Sequence, residues 1–250
     1  MMKRARVDFE QRCQGLPARI ISCLLTTFLL AGCASIPIPG REAGACYRPT
    51  NVYRESRLLP VGIKRVALLP MTTAGSAALL TAGAEALEPI LYAELEKSKR
   101  FEVIAVSGAQ LRQWTGQTGW NADEQLPSDL FERLREATGC DAVLFSQLTR
   151  YQPYQTLSIG WKLSLTEKAA AQNGGKTPAK DAGAHILWSA DEVFDAGNPE
   201  VANAARSYYG QHLRDESPLA DASTMLSSPG RFGQYSLGAL LATLPERQNH

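Results

Sequence analysis

The sequence predicts an α/β domain of the α+β kind, a mixed sheet with helices packed on it and an antiparallel hairpin attached. Three short apolar runs, 63–70, 101–106 and 141–148, are separated by segments of helical period, the rhythm of parallel strands with helical crossovers. After Leu148 the period changes to two: Leu157, Ile159, Trp161, Leu163 and Leu165 alternate with Ser158, Gly160, Lys162 and Ser164. At 250 residues and 44% hydrophobic, the chain is large enough for one sizeable core.

The elements follow in chain order. Residues 1–32 read as a secretory leader: Lys3, Arg4, Arg6, Arg12 and Arg19 precede an apolar stretch from Ile20 to Leu30 that is too short for a permanent span. Leu30-Ala31-Gly32-Cys33 closes it with the pattern of a bacterial lipobox, in which the thiol of Cys33 carries a diacylglyceryl group and its freed amine is acylated. An ordinary signal peptide with an incidental cysteine, or an uncleaved anchor, is the alternative. Three acyl chains hold a domain at a bilayer stably, each buried methylene adding about 0.8 kcal/mol. Ala34 stands where an Asp would favour the inner membrane, so the expected address is the outer membrane, lipid-anchored, on the periplasmic face.

Residues 33–60 contain Pro37, Pro39, Gly40, Gly44, Pro49 and Pro60 and read as a lipidated tether and surface arm. The α/β domain is expected over 61–196. Its first strand, Ile63 to Pro70, is apolar enough to be the central strand. A helix follows from about Ser76 to Ser98 with a kink at Pro89, then a strand from Phe101 to Val106. Ser107 caps a short helix bearing Leu111 and Trp114; Ser128 or Asp129 caps another, which Gly139 stops. Asp141 to Leu148 is the third strand. Leu157 to Leu165, with one wet face, pairs with His185 to Phe194 across a long loop at 167–183. Residues 197–250 form a helical extension of the same domain, with helices at 200–212 and 232–244.

This order of pieces, with Phe101-Glu102-Val103-Ile104, Thr138-Gly139-Cys140-Asp141-Ala142-Val143-Leu144 and Ile186-Leu187-Trp188-Ser189 at its strands, resembles the periplasmic α/β domain of CsgG, the TolB amino-terminal domain (an anticodon-binding-like fold) and the LpoB activators. The resemblance covers roughly 61–196. It implies a lipoprotein of the cell envelope that acts by binding or assembly. A CsgG-like pore needs amphipathic membrane hairpins of about ten alternating positions per strand, and the one clean alternation here serves the soluble hairpin.

The leader holds five of the 26 Lys/Arg and two of the 25 Asp/Glu, so residues 33–250 carry 21 and 23, a formal net charge of −2. That excludes the basic field of a nucleic-acid binder. Cys46 and Cys140 are either a disulfide pair, as an oxidising compartment allows, or two separate thiols. No nucleophile, base or metal cluster stands out, so no catalytic residue, metal or cofactor is expected. His185 and His212 read as solvated or capping, and His250 is terminal. Asp191, Glu192 and Asp195 lack the ligand pattern of a calcium loop and read as a solvated strand edge. Of the aromatic residues near the hairpin and the next helix, Tyr151, Tyr154 and Tyr208 are the candidates for a partner-binding face, against core and rim packing. The expected function is a non-enzymatic, protein-binding, assembly or regulatory factor of the envelope. The partners are the membrane through Cys33 and another envelope protein or a second copy. A component of a CsgG-like secretion assembly and an envelope hydrolase or ligand-binding enzyme are the alternatives.

Overall fold

Seven strands form one mixed sheet in the computed structural model, which describes residues 46–168, 184–213 and 222–248. The parallel half is built on β2 (Arg65–Leu68), which lies between β4 (Glu102–Ala105) and β5 (Ala142–Gln152), parallel to both. A two-residue strand, β3 (Thr72–Thr73), also pairs with β5 and was not foreseen. The antiparallel half adds β6 (Ser158–Lys168), β7 (Ala184–Asp195) and β1 (Val52–Arg54), giving the order β1-β7-β6-β5-β2-β4. The apolar run of β2 is buried on both faces as expected, with Val66 and Ala67 at 0% exposure. Its expected central position is corrected: β5 and β6 occupy the middle, and β2 stands next to the edge strand β4.

Helices cover both faces. On one, α1 (Ala78–Ser98), α4 (Pro199–Tyr208) and α5 (Pro229–Leu241) enclose the larger core, in which Leu87, Leu91 and Leu95 meet Trp161, Trp188, Phe232 and Leu240. On the other, α2 (Gly108–Thr115) and α3 (Leu130–Thr138) place Leu111, Leu130 and Leu134 over Ala67, Val143 and Phe145. Successive residues of β2 point into different cores, as a period of two requires. Local signals set the helix ends. Ser107 and Gln110 form a capping box, while Gly116 and Gly139 close α2 and α3 in the left-handed conformation that glycine adopts without a Cβ clash. Proline opens both α4 and α5, behind Asn198 and Ser228 as caps. The helix expected over 200–212 ends at Tyr208 and continues as a π turn, Tyr209–Leu213.

One expectation about the antiparallel half is corrected. Ser158, Ser164 and Thr166 of β6 are 1%, 5% and 0% exposed, so the strand has no wet face. The segment before α3 and α3 itself lie over it, with Lys162 paired to Asp123 and Lys168 to Glu132. A bulge between Leu148 and Arg150 puts the backbone nitrogen of Arg150 3.0 Å from where a Cβ on Gly160 would stand, which is why that strand position is glycine. The arm is also part of the domain. Its β1 pairs with β7, Leu59 is 2% exposed in the larger core, and Leu58 bridges to Glu246 near the carboxyl end. Cys33, residues 169–183 of the expected long loop, the segment 214–221 and His250 lie outside the described residues.

Candidate functional site

The site begins with the capture of the arm. Glu192 of β7 accepts hydrogen bonds from the Tyr47 hydroxyl at 3.0 Å, the Thr50 amide at 2.6 Å and the Asn51 amide at 3.2 Å. The Asp191 amide in turn donates to the Asn51 carbonyl at 3.0 Å. Asp191 is exposed, as a solvated strand edge requires, whereas Glu192 is half-buried and bound by the arm, and Asp195 accepts from the Gly197 amide in the turn that leads to α4. Among the described residues no group of three or more His, Cys, Asp or Glu is placed to hold a metal.

Holding Tyr47 here starts a chain of aromatic rings. Tyr47 meets Phe194 edge-on at 5.5 Å, Phe194 meets Tyr235 at 5.9 Å, and Tyr235 meets Tyr208 at 5.7 Å. Tyr208 then stacks on His212 at 4.4 Å with 18° between the planes, and the His212 Nδ1 lies 3.3 Å from the Tyr208 carbonyl oxygen. Such geometries favour aromatic pairs beyond the area they bury. The Tyr235 hydroxyl, like those of Ser146, Ser158 and Ser164, is buried with no hydrogen-bond partner among the described residues, on a residue only 3% exposed. Burial pushes its ionisation well above the ordinary value of 10, and the nearby Tyr47 and Cys46 add to the shift. Burial, the hydrogen bond to Glu192 and the charge of that carboxylate push Tyr47 up to about 12. Both phenols therefore remain hydrogen-bond donors at neutral pH.

The arm, α4 and α5 enclose a groove of about 900 Å³ around this aromatic chain. Tyr208, His212 and Tyr235 line it from the helices, while Cys46, Arg48 and Arg54 line it from the arm. Among the described residues no Asp or Glu lines it, and neither arginine has an ion pair. The Arg54 Nη1 donates to the Thr243 carbonyl at 3.4 Å, which turns its side chain across the end of α5. The volume is in the upper part of the range for ligand-binding clefts.

The structure separates the three candidate tyrosines. Tyr208 belongs to the groove. Tyr154 is 75% exposed in the turn between β5 and β6. Tyr151 is half-buried with its ring lying on Gly83 of α1, where a Cβ would come within 2.5 Å of the ring, and burial raises its pKa. Trp161 and Trp188 are core residues whose indole nitrogens donate to Ser236 at 2.8 Å and Thr243 at 3.0 Å. His185 stands between Glu55 and Glu167, 3.2 Å from each. The disulfide alternative is corrected: Cys46 and Cys140 are free thiols. Cys46 is exposed on the groove, whereas Cys140 is buried in the core under α2 and α3, and burial raises its thiol pKa. Tyr47, Arg48, Arg54 and Tyr235 were not foreseen as site residues. The only sequence signal for Tyr235 was its place three residues after Phe232 in an apolar helix, and that reads as core.

No family model and no curated protein sequence matches the chain. Among solved structures, the PelC dodecamer from Paraburkholderia phytofirmans is similar at 13% identity and a TM-score of 0.42, over 79% of this chain and 96% of that one. The lipoprotein GNA1162 from Neisseria meningitidis is similar at 16% identity and a TM-score of 0.33, over 54% and 81%. The LpoB C-terminal domain from Salmonella enterica is similar at 16% and 0.30, over 54% and 84%.

Proposed function

We propose that this chain is a lipid-anchored protein of the outer membrane, held through Cys33 on the periplasmic face, that works by binding another envelope protein. The observation that carries the reading is where the groove opens. Cys46, on its rim, follows Cys33 after only the twelve residues 34–45, which span at most about 43 Å when fully extended. A protein docked there is held close to the bilayer surface. The reading assigns no reaction to the groove. Among the described residues its titratable side chains are three phenols, a thiol, two guanidinium groups and a histidine stacked on Tyr208, with no base placed against a nucleophile.

Two measurements on whole cells test the proposal. Cys33→Ser is expected to move the protein from the membrane fraction to the soluble periplasm and to abolish its cellular role. A photocrosslinking residue at Tyr208 is expected to yield one reproducible adduct with a second envelope protein, and the same residue at exposed Tyr92 on α1 is expected not to. A Cys33→Ser protein that still sediments with membranes, or equal crosslinking from both positions, overturns the reading.

A further inference from the structure

We infer that the groove takes an acidic peptide segment, bound as an added strand on β1. The inference rests on the docking proposal above and names the chemistry of the partner. Its first support is the backbone. Among the described residues β1 is the last strand of the sheet on that side, so no strand of theirs pairs with its outer edge. In an antiparallel pair, alternate residues turn their amide and carbonyl groups toward the partner strand. The bonds from Asp191 to Asn51 and from Glu55 to Leu187 mark Asn51 and Glu55 as facing β7, and Tyr53 shares their phase. Val52 and Arg54 therefore turn their amide and carbonyl groups to the outer edge.

The second support is that Val52 and Arg54 also line the groove with their side chains. A strand added at this edge places alternate side chains in the groove while its main chain bonds to β1, the arrangement of strand-addition recognition. The third is charge. Among the described residues Arg48 and Arg54 have no ion pair and no acid lines the groove, and a guanidinium is suited to a carboxylate through paired hydrogen bonds. A basic segment meets two like charges here.

Fluorescence anisotropy with the full chain in detergent tests the inference. The probes are a labelled extended peptide alternating Glu with Val, the same peptide with Lys in place of Glu, and the Glu peptide N-methylated at alternate amides. The Glu peptide is expected to bind, and the Lys peptide to bind at least about tenfold more weakly. N-methylation in the phase that faces β1 is expected to weaken binding by a similar factor, and methylation in the other phase is expected to leave it unchanged. That comparison alters no residue of the protein, so misfolding cannot produce it. Arg54→Glu is expected to abolish the preference for Glu over Lys. Equal binding of the Glu and Lys peptides, or indifference to both methylation phases, overturns the inference. So does a self-associating chain whose dimer excludes the peptide, or anionic phosphatidylglycerol vesicles that compete with it while zwitterionic ones do not. If no peptide binds while the Tyr208 crosslink persists in cells, the acidic-strand inference is wrong and the docking proposal stands; loss of that crosslink overturns the docking proposal itself.

Discussion

Removing the Glu192 carboxylate is expected to release the arm before it unfolds the domain. Glu192 accepts from two backbone amides and from the hydroxyls of Tyr47 and Thr50, all on a segment more than 140 residues away in sequence. Thr50 and Asn51 are exposed, so water replaces part of what is lost, and each bond is set at the low end of its range, about 0.5 kcal/mol. Four such bonds make Glu192→Ala destabilising by about 2 kcal/mol, and Glu192→Gln, which keeps one acceptor oxygen, by about 1 kcal/mol. For a domain of this size 2 kcal/mol corresponds to a fall in Tm of about 4–8 °C. The sharper readout is hydrogen exchange at the amides of Glu55 and Asp191, whose acceptors join β1 to β7. A local loss of 2 kcal/mol speeds their exchange by about 30-fold, while amides within β5 and β6 keep their protection. The reasoning is refuted if Glu192→Ala leaves the Glu55 and Asp191 amides within threefold of their original rates. It is equally refuted if all strands lose protection together, because Glu192 would then be supporting the whole sheet.

Three further outcomes are expected. Ser236→Ala leaves the buried Trp161 indole nitrogen without its acceptor and lowers stability in urea by about 1–3 kcal/mol; an unchanged midpoint counts against that bond. In the folded protein Cys46 reacts with iodoacetamide and Cys140 reacts only after denaturation, and recovery of a Cys46–Cys140 linked peptide under non-reducing conditions contradicts the free thiols. Tyr47 titrates near 12 and Tyr235 still higher when folded, against about 10 when unfolded, so their contribution is whole below pH 10 and is lost as the pH rises toward 12. Phenolate absorbance of the folded protein then shows three tyrosines titrating late, Tyr151 with Tyr47 and Tyr235; a single step near pH 10 for all tyrosines refutes the shift.

The helices and the parallel strands were legible because their determinants are local. Ser107, Gln110, Gly116 and Gly139 bound α2 and α3 through contacts within a turn, and Val66 to Leu69 declare a doubly buried strand by composition alone. The hairpin was legible as a pair of strands, but its surroundings were not. Ser158, Gly160 and Ser164 read as a wet face because small polar residues usually are, and the segment that covers them carries no periodic signal. The candidate site was nearly invisible for the same kind of reason. β1 is three residues, too short for any pattern, and exists because β7 and Glu192 are waiting for it. Tyr208 was singled out from its place beside the hairpin, yet the partners that make it a site, Tyr47 and Tyr235, lie 161 residues before it and 27 after it. Tyr235 carries no mark in sequence that its hydroxyl would be left without an acceptor.

The joint between the arm and the carboxyl end bears on how the molecule responds to tension. Leu59 donates to the Glu246 carbonyl and the Glu246 amide donates to Arg57, each at 2.8 Å, and these bonds clip the two ends of the domain together below β1. A pull on the chain ahead of Cys46 loads the edge strand first, where pairs open one at a time like a zipper, and reaches the clip only when the strand has peeled away. Residues 46–58 then straighten to a span of at most about 45 Å from Leu59, which stays buried while the sheet stays whole. Under load, the strand that walls the groove is thus the part that yields, so tension on the arm dismantles the groove without unfolding the domain behind it.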